Sequence, residues 1–345
     1  MGECMKIALN GFGRIGKNFL RALLEESSGT SEKLEIVAIN RGPGDKALLG
    51  HVFKYDTLLG TYPGVVHIEQ DGEDTVLCVD NHRILVYAET NPENLPWKKL
   101  AIDWVVEASG KFTQRTGALL HIKAGAKKVL ITAPSSDADV TIILGVNSSC
   151  YTNQTIVSLG SCTTNAVTPL LALIHKNFEI KNAYMTTVHS YTNNQILLDG
   201  AGSDLRRARA AALNMVPTST GAAKATALAY PQLHGKFDGV SVRVPVASGS
   251  LVDVTFVAKR ATSVEEINAA LMKAAEADRW KPVFTVSSEP LVSSDILGLP
   301  YGAIADLSMT RVVDGTLVKV LAWYDNEMGY VHTLVEHVLE VAKRL

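Results

Sequence analysis

Apolar residues follow two patterns along this chain, and their alternation indicates the fold. From residue 6 to about 160, short apolar runs typical of buried strands alternate with stretches that carry apolar residues at helical spacing. The predicted strands are 6–10, 34–39, 103–106, 128–132, 140–143 and 155–159, and the predicted helices are 14–26, 45–51 and 115–125. Such alternation is typical of a doubly wound parallel sheet, so we predict an α/β fold here.

The pattern changes twice further along the chain. Between residues 61 and 99, short strand-like runs are separated by polar turns, which predicts an antiparallel insertion. Beyond Asn182 the pattern is that of an α+β domain, which we predict to contain one antiparallel sheet. Its predicted strands are 183–189, 239–247 and 251–259, its predicted helices are 222–228 and 264–276, and a final helix covers 327–344.

The first predicted strand leads directly into a glycine-rich turn. Gly11, Gly13 and Gly16 have the spacing Gly-x-Gly-x-x-Gly between a strand and a helix, and a second strand follows. In that context the first glycine permits a tight turn, the second lets the backbone approach a pyrophosphate, and the third lets helix and strand pack closely. The sequence therefore predicts a Rossmann-type dinucleotide site; the alternative is a plain strand–turn–helix.

A cysteine lies at a predicted junction of strand and helix. Because residues 166–178 carry apolar residues at helical spacing, Cys162 is expected at a helix N-terminus, where the partial positive charge favours a thiolate and binds a developing oxyanion. His189 is the candidate base, and as an imidazolium it would lower the pKa of Cys162. The alternatives are a core cysteine with an unrelated histidine, and a thiol protease or acyltransferase, which has no use for a dinucleotide.

Length and charge exclude several classes of function. The 345 residues are 47% hydrophobic and carry a formal net charge of −2. We expect about two domains, and neither nucleic acid nor a membrane as a primary partner. No signal-peptide pattern is present and no apolar run approaches the roughly 18 residues of a membrane span, so we expect a cytoplasmic location.

Cysteines and histidines show no metal-binding spacing. The four cysteines, Cys4, Cys78, Cys150 and Cys162, include no Cys-x-x-Cys pair. The nine histidines include no His-x-x-x-His spacing. We therefore expect neither a metal nor a disulfide framework, and we interpret Cys78 as a packed strand residue.

Eight short strings extend these motifs over nearly the whole chain. They are NGFGRIG (10–16), ASGKFT (108–113), SCTTN (161–165), HSYT (189–192), DLRRAR (204–209), TSTGAAK (218–224), RVP (243–245) and WYDNEMGY (323–330). Together and in this order they resemble phosphorylating glyceraldehyde-3-phosphate dehydrogenase. The resemblance implies a dinucleotide-binding domain of residues 1–161 with 327–345 and a catalytic domain of residues 162–326. It also implies a homotetramer in which the loop 190–214 lies against a neighbouring subunit's cofactor.

The resemblance also implies a reaction. Glyceraldehyde 3-phosphate and inorganic phosphate would give 1,3-bisphosphoglycerate with reduction of NAD or NADP, as in glycolysis or gluconeogenesis. Cys162 would form a hemithioacetal and then a thioester, and His189 would be the base. Thr192 and Arg243 would bind the substrate phosphate. The residues implied for inorganic phosphate are Ser161, Thr163, Arg207, Thr220 and Gly221.

The same resemblance implies a set of cofactor-binding residues. They are Asn10, Gly11, Phe12, Gly13, Arg14, Ile15, Gly16, Arg41, Ser109, Gly110, Thr132, Asn326 and Tyr330. Asn326 would hold the nicotinamide amide, and Tyr330 would shield the nicotinamide ring.

Two departures from the family pattern concern the choice between NAD and NADP. Arg41 follows the second strand, where the dinucleotide fingerprint normally has an acidic residue that binds the ribose hydroxyls. Gly200-Ala201 stands where NAD-specific relatives usually carry Leu-Pro. An arginine can pair with a 2′-phosphate, so we predict that NADP is accepted, alone or beside NAD. In the alternative, Arg41 faces solvent and Asp45 takes the ribose.

Two other functions are alternatives to the one that the resemblance implies. Erythrose-4-phosphate dehydrogenase shares the cysteine, the histidine and the dinucleotide motif, but we expect it to lack the string Thr218–Lys224. A non-catalytic dinucleotide- or RNA-binding protein on the same scaffold is the other rival. The joint presence of Cys162, His189, Arg243 and Asn326 argues against a decayed site.

Overall fold

The computed structural model describes residues 4–25, 34–202 and 204–342. They belong to two compact units. The first comprises Met1–Thr141, Cys150–Leu159 and Leu334–Leu345, and the second comprises Ile142–Ser149 and Gly160–Thr333. The ends predicted for the first and last helices, residue 26 and residues 343–344, lie outside the described residues.

The first unit is built on a sheet of nine strands. In chain order the strands of this unit are β1 Met5–Asn10, β2 Leu34–Asn40, β3 Tyr55–Asp56, β4 Gly60–Thr61, β5 Val66–Asp71, β6 Asp74–Val79, β7 His82–Tyr87, β8 Trp104–Glu107, β9 Lys128–Ile131, β10 Val140–Thr141 and β11 Ile156–Ser158. The sheet order is β10-β11-β9-β8-β1-β2-β7-β6-β5, and β3 pairs with β4 as a separate hairpin.

Strand direction in this sheet agrees with the sequence pattern. Every neighbouring pair from β10 to β7 is parallel, whereas β6 pairs antiparallel with both β5 and β7. The predicted doubly wound sheet and the antiparallel insertion are thus confirmed. Cys78 lies on β6 and is buried, as predicted for a packed strand residue.

In the described ranges, four helices alternate with the strands of the first unit along the chain. They are α1 Arg14–Glu25, α2 Leu48–Lys54, α3 Trp97–Leu100 and α4 Arg115–Lys123. Helix α2 begins three residues later than predicted, because the Asp45 carboxylate accepts a hydrogen bond from the Ala47 N–H and closes a turn before the helix. Fully buried apolar residues, including Trp97 and Val129, form the core of this unit.

The second unit has its own sheet of seven strands. The strands are β12 Ile180–Ser190, β13 Val216–Ser219, β14 Phe237–Val244, β15 Ser250–Ala258, β16 Phe284–Ser287, β17 Ala303–Val313 and β18 Leu317–Tyr324. The order is β13-β14-β12-β15-β18-β17-β16. The pairs β12–β14 and β16–β17 are parallel and the others antiparallel, so the sheet is mixed rather than wholly antiparallel.

The long helix that follows Ser161 forms much of the core of the second unit. This helix is α5 Cys162–Phe178, and the helices after it are α6 Ala222–Ala229, α7 Val264–Ala275 and α8 Met328–Ala342. Short 3₁₀ turns occur at Pro92–Asn94, Ser148–Cys150, Ala211–Leu213 and Pro231–Leu233. In the described ranges, no helix has the length and apolar character needed to cross a membrane.

A capping box starts α5 at the predicted position. The Ser161 hydroxyl accepts from the Thr164 N–H at 3.1 Å, and the Thr164 hydroxyl faces the Ser161 N–H at 3.3 Å. This places Cys162 as the first helical residue, which confirms the prediction.

The glycine turn after β1 needs two of its glycines for steric reasons. Gly11 has φ +100°, and a Cβ there would lie 2.5 Å from the Ser109 backbone nitrogen. A Cβ on Gly16 would lie 2.1 Å from the Gly11 carbonyl oxygen. A Cβ on Gly13 meets nothing within 4 Å. Gly11 and Gly16 are therefore required by packing, whereas Gly13 borders open space.

Alanine substitutions should separate these roles. We expect Gly11→Ala to lower the free energy of unfolding by more than about 2 kcal/mol, because it adds backbone strain and a backbone clash. Gly13→Ala should change it by no more than about 0.5 kcal/mol. Equilibrium urea denaturation measures both, and equal losses in the two variants would contradict this reading of the turn.

Candidate active site

The second unit brings Cys162 and His189 together. Cys162 Sγ, at the first turn of α5, lies 3.5 Å from Nε2 of His189, near the end of β12. His189 is 3% exposed, and Cys162 is partly exposed. The predicted nucleophile and base are thus within contact distance of each other.

Backbone and charge contacts determine the tautomer of His189. Nδ1 lies 2.7 Å from the Ser190 carbonyl oxygen and 3.0 Å from Arg243 Nη1. A guanidinium only donates, so Nδ1 cannot accept from Arg243 while it donates to Ser190. The shorter contact favours Nδ1–H donation to Ser190, and Arg243 Nη1 then donates to the same carbonyl at 3.0 Å. This tautomer leaves the Nε2 lone pair facing the Cys162 thiol.

The electrostatic environment differs from the expectation of a thiolate–imidazolium pair. Burial raises the pKa of Cys162, although the Arg243 charge and the N–H groups at the helix start act to lower it. Burial, together with the Arg243 charge, lowers the pKa of His189 to about 3. Both groups are therefore neutral near pH 7 in this structure, because the cost of burying charge exceeds the favourable effect of the helix N-terminus. The expected lowering of the Cys162 pKa by an imidazolium does not occur.

A buried tyrosine links the segments that carry the two residues. The Tyr324 hydroxyl contacts Thr163 Oγ1 at 3.0 Å and Thr187 Oγ1 at 2.8 Å, and its ring packs edge-on against His189. Burial raises the pKa of Tyr324. Sequence reasoning gave Tyr324 no role, although it lies within the quoted string 323–330.

Arg243 also connects to the residues predicted to bind the substrate phosphate. It lies opposite His189 in the register of β12 and β14, and its Nη1 donates to Thr192 Oγ1 at 3.2 Å. The Thr192 hydroxyl donates to Asn194 Oδ1 at 2.7 Å. Arg243 Nε is buried and has no partner among the described residues. A partly buried guanidinium with an unpaired N–H suits an anionic ligand.

The residues predicted for inorganic phosphate make local contacts. Arg207 donates through Nε and Nη2 to Thr218 Oγ1. Burial lowers the pKa of Arg243, and the nearby charge of Arg207 lowers it further. Thr163 contacts Tyr324, and Ser161 caps α5. Thr220 Oγ1 accepts from the Ala222 N–H, and Gly221 is the residue before α6, which confirms the predicted helix start.

Asn326 is held in one orientation by three donors. Its Oδ1 accepts from the Ser190 hydroxyl, the Gly249 N–H and the Ser250 hydroxyl at 2.8 to 3.1 Å. The Nδ2 amino group is therefore the part of the side chain oriented away from these donors. The hydroxyl of Tyr330 donates to the Gly160 carbonyl at 2.9 Å, and burial raises the pKa of Tyr330.

In the first unit, the candidate cofactor residues surround the ends of β1, β2 and β8. The side chain of Asn10 is buried between Glu107 and Asn40. Ser109 and Thr132 also contact Glu107, through its carboxylate and its carbonyl respectively. The remaining candidates differ in exposure: Gly13 and Gly110 are exposed, Phe12, Arg14 and Ile15 are partly buried, and Gly11 and Gly16 are buried.

Arg14 is bound by an acidic residue that sequence reasoning missed. Asp56 Oδ2 lies 2.5 Å from Arg14 Nη1 and 2.6 Å from Lys17 Nζ. Burial opposes the charged form, but these two partners hold the pKa of Asp56 well below its usual range. No periodicity marks Asp56 in the sequence, so only the folded chain identifies it.

Arg41 has an unpaired guanidinium nitrogen. Its Nη1 is buried and has no partner among the described residues, and it is so near Gly44 that a Cβ there would lie 2.1 Å from it. Asp45 bonds the Ala47 N–H and is exposed. An orphaned cationic N–H at the end of β2, together with the open backbone at Gly13, fits a dinucleotide with a phosphate near Arg41.

One trio of potential metal ligands occurs in the part of the chain that the structure describes. Donor atoms of His67, Glu69 and Cys78 lie within 4.8 Å of one another. The Arg83 guanidinium is paired with the Glu69 carboxylate. Because a cation already binds this carboxylate, we assign no metal to the trio.

Comparison with known proteins agrees with this geometry. Residues 161–326 match the family model of the glyceraldehyde 3-phosphate dehydrogenase C-terminal domain, and residues 5–115 match that of its NAD binding domain. Glyceraldehyde-3-phosphate dehydrogenase 2 of Streptomyces avermitilis is 47% identical over 343 residues, which cover 99% of both chains. The Mycobacterium avium and Mycobacterium tuberculosis H37Rv enzymes of that name are 46% and 47% identical over 99% of each chain.

The chain belongs to the glyceraldehyde-3-phosphate dehydrogenase family. Both family models and the full-length relatives agree with the resemblance noted in the sequence. Within the family's C-terminal domain lie Cys162, His189 and Arg243, and within its NAD binding domain lies the glycine turn.

The effect of the Arg243 charge on the pKa of Cys162 can be measured. Arg243→Gln removes a charge that lowers the pKa of Cys162, so that pKa should rise and the thiolate fraction at any given pH should fall. We expect alkylation of Cys162 by iodoacetamide to be several-fold slower at pH 8, with its pH profile displaced upward. Arg260→Gln, an exposed arginine paired with Glu266, is the control. Superimposable profiles for Arg243→Gln and the native protein would contradict the assignment.

Proposed function

We propose that this protein oxidises and phosphorylates glyceraldehyde 3-phosphate to 1,3-bisphosphoglycerate with reduction of NAD or NADP. The observation that carries the proposal is the contact of Cys162 with the neutral Nε2 of His189, beside the guanidinium of Arg243. A thiol, a base and an anion-binding cation within one site match an aldehyde substrate that carries a phosphate.

In the first step, the Cys162 thiol adds to the aldehyde carbon. The S–H proton leaves as the C–S bond forms, and His189 Nε2 is placed to receive it and return it to the carbonyl oxygen, which becomes the hydroxyl of a hemithioacetal. N–H groups at the start of α5, where Cys162 lies, would be the donors for that oxygen. The Arg243 Nε and the Thr192 hydroxyl would hold the C3 phosphate.

The second step oxidises the hemithioacetal to a thioester. Asn326 Nδ2 would donate to the carboxamide of a bound NAD or NADP, which would supply the hydride acceptor. His189 accepts the hydroxyl proton as the carbonyl forms. A substrate phosphate at Arg243 offsets the charge that lowers the pKa of His189, so bound substrate would make this base stronger.

The third step releases the product. Inorganic phosphate attacks the thioester carbonyl, the C–S bond breaks, and the thiolate regains a proton from His189. The candidates for binding that phosphate are Ser161, Thr163, Arg207, Thr220 and Gly221. Ser161 and Gly221 are the N-cap residues of α5 and α6.

An absorbance assay of nicotinamide reduction tests the reaction. We expect reduction with glyceraldehyde 3-phosphate to require inorganic phosphate, because the thioester otherwise persists on Cys162. Cys162→Ser should lose at least about a thousandfold in kcat, and His189→Asn roughly a hundredfold or more. Sustained reduction without phosphate would instead indicate an acid-releasing enzyme such as erythrose-4-phosphate dehydrogenase.

We further propose that NADP is accepted, alone or beside NAD. The buried, unpaired Nη1 of Arg41 supports this, since a 2′-phosphate would supply its missing acceptor. The engagement of Asp45 with the Ala47 N–H argues against a swing of that carboxylate to the ribose.

Neutralisation of Arg41 should affect the two cofactors differently. We expect Arg41→Gln to lower kcat/KM for NADP by roughly tenfold, because a charge-assisted hydrogen bond is lost, and to change that for NAD by less than about twofold. Arg83→Gln, in the same unit, is the control for loss of a positive charge. Equal changes for NAD and NADP, or no change for either, would exclude the role of Arg41.

We also propose a cytoplasmic homotetramer. Support comes from the loop predicted to contact a neighbouring subunit, where large apolar side chains are exposed. They are Leu197, Leu198, Leu205 and Leu213. Burial of such residues commonly drives association of subunits.

A further inference from the structure

Glu107 is a buried carboxylate at the carboxyl end of β8, and in the described part of the chain its two oxygens contact four donors. It is 1% exposed. Oε1 accepts from the Ser109 N–H at 2.8 Å and from the Ser109 hydroxyl at 2.5 Å. Oε2 accepts from Asn10 Nδ2 at 2.5 Å and lies 3.0 Å from His121 Nε2. Each oxygen thus has two partners, which is the full acceptor capacity of an ionised carboxylate.

Trp97 determines the tautomer of His121. The Trp97 indole N–H can only donate, and it lies 3.1 Å from His121 Nδ1, so Nδ1 must accept. The proton of the neutral imidazole is then on Nε2, which donates to Glu107. His121 is 0% exposed, and both of its nitrogens are therefore committed.

The Ser109 hydroxyl has a defined direction as well. Its oxygen accepts from the Lys111 N–H at 3.1 Å, which leaves its hydrogen for Glu107. Glu107 is thus the acceptor in all four of these hydrogen bonds. It is a carboxylate held by neutral donors, with no cation among its contacts in the described ranges.

The network extends to the glycine turn. Asn10 Oδ1 accepts from Asn40 Nδ2 at 2.7 Å, so both ends of the Asn10 amide are oriented. The Gly11 N–H donates to the Asn40 carbonyl, and Gly11 packs directly against the Ser109 backbone. Glu107 therefore holds the two segments that meet at Gly11, the end of β1 and the Ser109–Gly110 turn.

We propose that Glu107, oriented by His121, is a positioning residue for dinucleotide binding. It holds Asn10 and Ser109 in the one arrangement that presents the Gly11–Gly16 turn and the Ser109–Gly110 backbone to the cofactor. The inference rests on the proposed use of NAD or NADP. Glu107 bonds only to protein groups, so it affects affinity for both dinucleotides equally and has no part in the chemistry at Cys162.

The test is a dissociation constant, measured by calorimetric titration of the full chain with NAD and with NADP. Glu107→Gln keeps the shape but turns an N–H₂ group toward other donors, and we expect it to weaken binding of both cofactors roughly tenfold. Val129→Ala, a buried cavity variant on β9 outside the network, controls for lost stability. At a similar loss in Tm it should bind both cofactors within about twofold of the native protein.

A second pair of variants tests the histidine and covers the case in which Glu107→Gln does not fold. Gln at position 121 can donate to Glu107 through Nε2, whereas Leu cannot. His121→Leu should therefore weaken cofactor binding more than His121→Gln does. The alkylation rate of Cys162 and kcat at saturating cofactor should stay at native values in both, while KM for the cofactor rises.

Each outcome has a distinct meaning. Native-like dissociation constants for Glu107→Gln, or equal constants for His121→Leu and His121→Gln, would overturn the positioning role alone. Equal weakening by Val129→Ala would reduce it to general stability and overturn it too. A native protein that binds neither NAD nor NADP would refute the proposed function and this inference together.

Discussion

The positive charge of Arg243 is the constraint on which the chemistry of the second unit depends. The parallel register of β12 and β14 places it beside His189, with Nη1 3.0 Å from Nδ1. This single charge acts to lower the pKa of Cys162 and that of His189. It therefore favours a thiolate while it disfavours an imidazolium. An anion bound to Arg243 weakens both effects, so ligand binding and base strength are coupled electrostatically.

The sequence alone predicted those features that depend on interactions between residues close together in the chain. The strand before Cys162 and the apolar spacing after it predicted the start of α5, and the glycine spacing predicted the turn after β1. The parallel pairing of β12 with β14 was not predicted, because it depends on a crossover of more than 40 residues with no repeated pattern. The late start of α2 depends on the side-chain turn at Asp45.

The charge states of Cys162 and His189 could not be predicted from the sequence, because they depend on burial in the folded chain. The sequence argument considered the helix N-terminus and a histidine, and from these it predicted a thiolate. The opposing influence, burial of both groups, comes from residues far apart in sequence. Tyr324 illustrates this, since it meets Thr163 and Thr187 across separations of 161 and 137 residues. A motif string identifies such a residue but not its partners. The sequence therefore pointed to the candidate site residues, but not to the balance of burial and nearby charge that determines their pKa values.

Glu107 and Arg41 in the first unit differ in whether their buried polar atoms have hydrogen-bond partners. Glu107 has a donor for each lone pair, so a ligand adds nothing to its hydrogen bonding, and its proposed task is to orient its neighbours. Arg41 Nη1 has none, and an unpaired buried N–H raises the free energy of the ligand-free protein until an acceptor arrives. A satisfied group cannot distinguish between ligands that it does not touch, whereas an unsatisfied one favours the ligand that supplies its partner. On the proposed function, Arg41 would therefore discriminate between NAD and NADP, and Glu107 would support an affinity common to both.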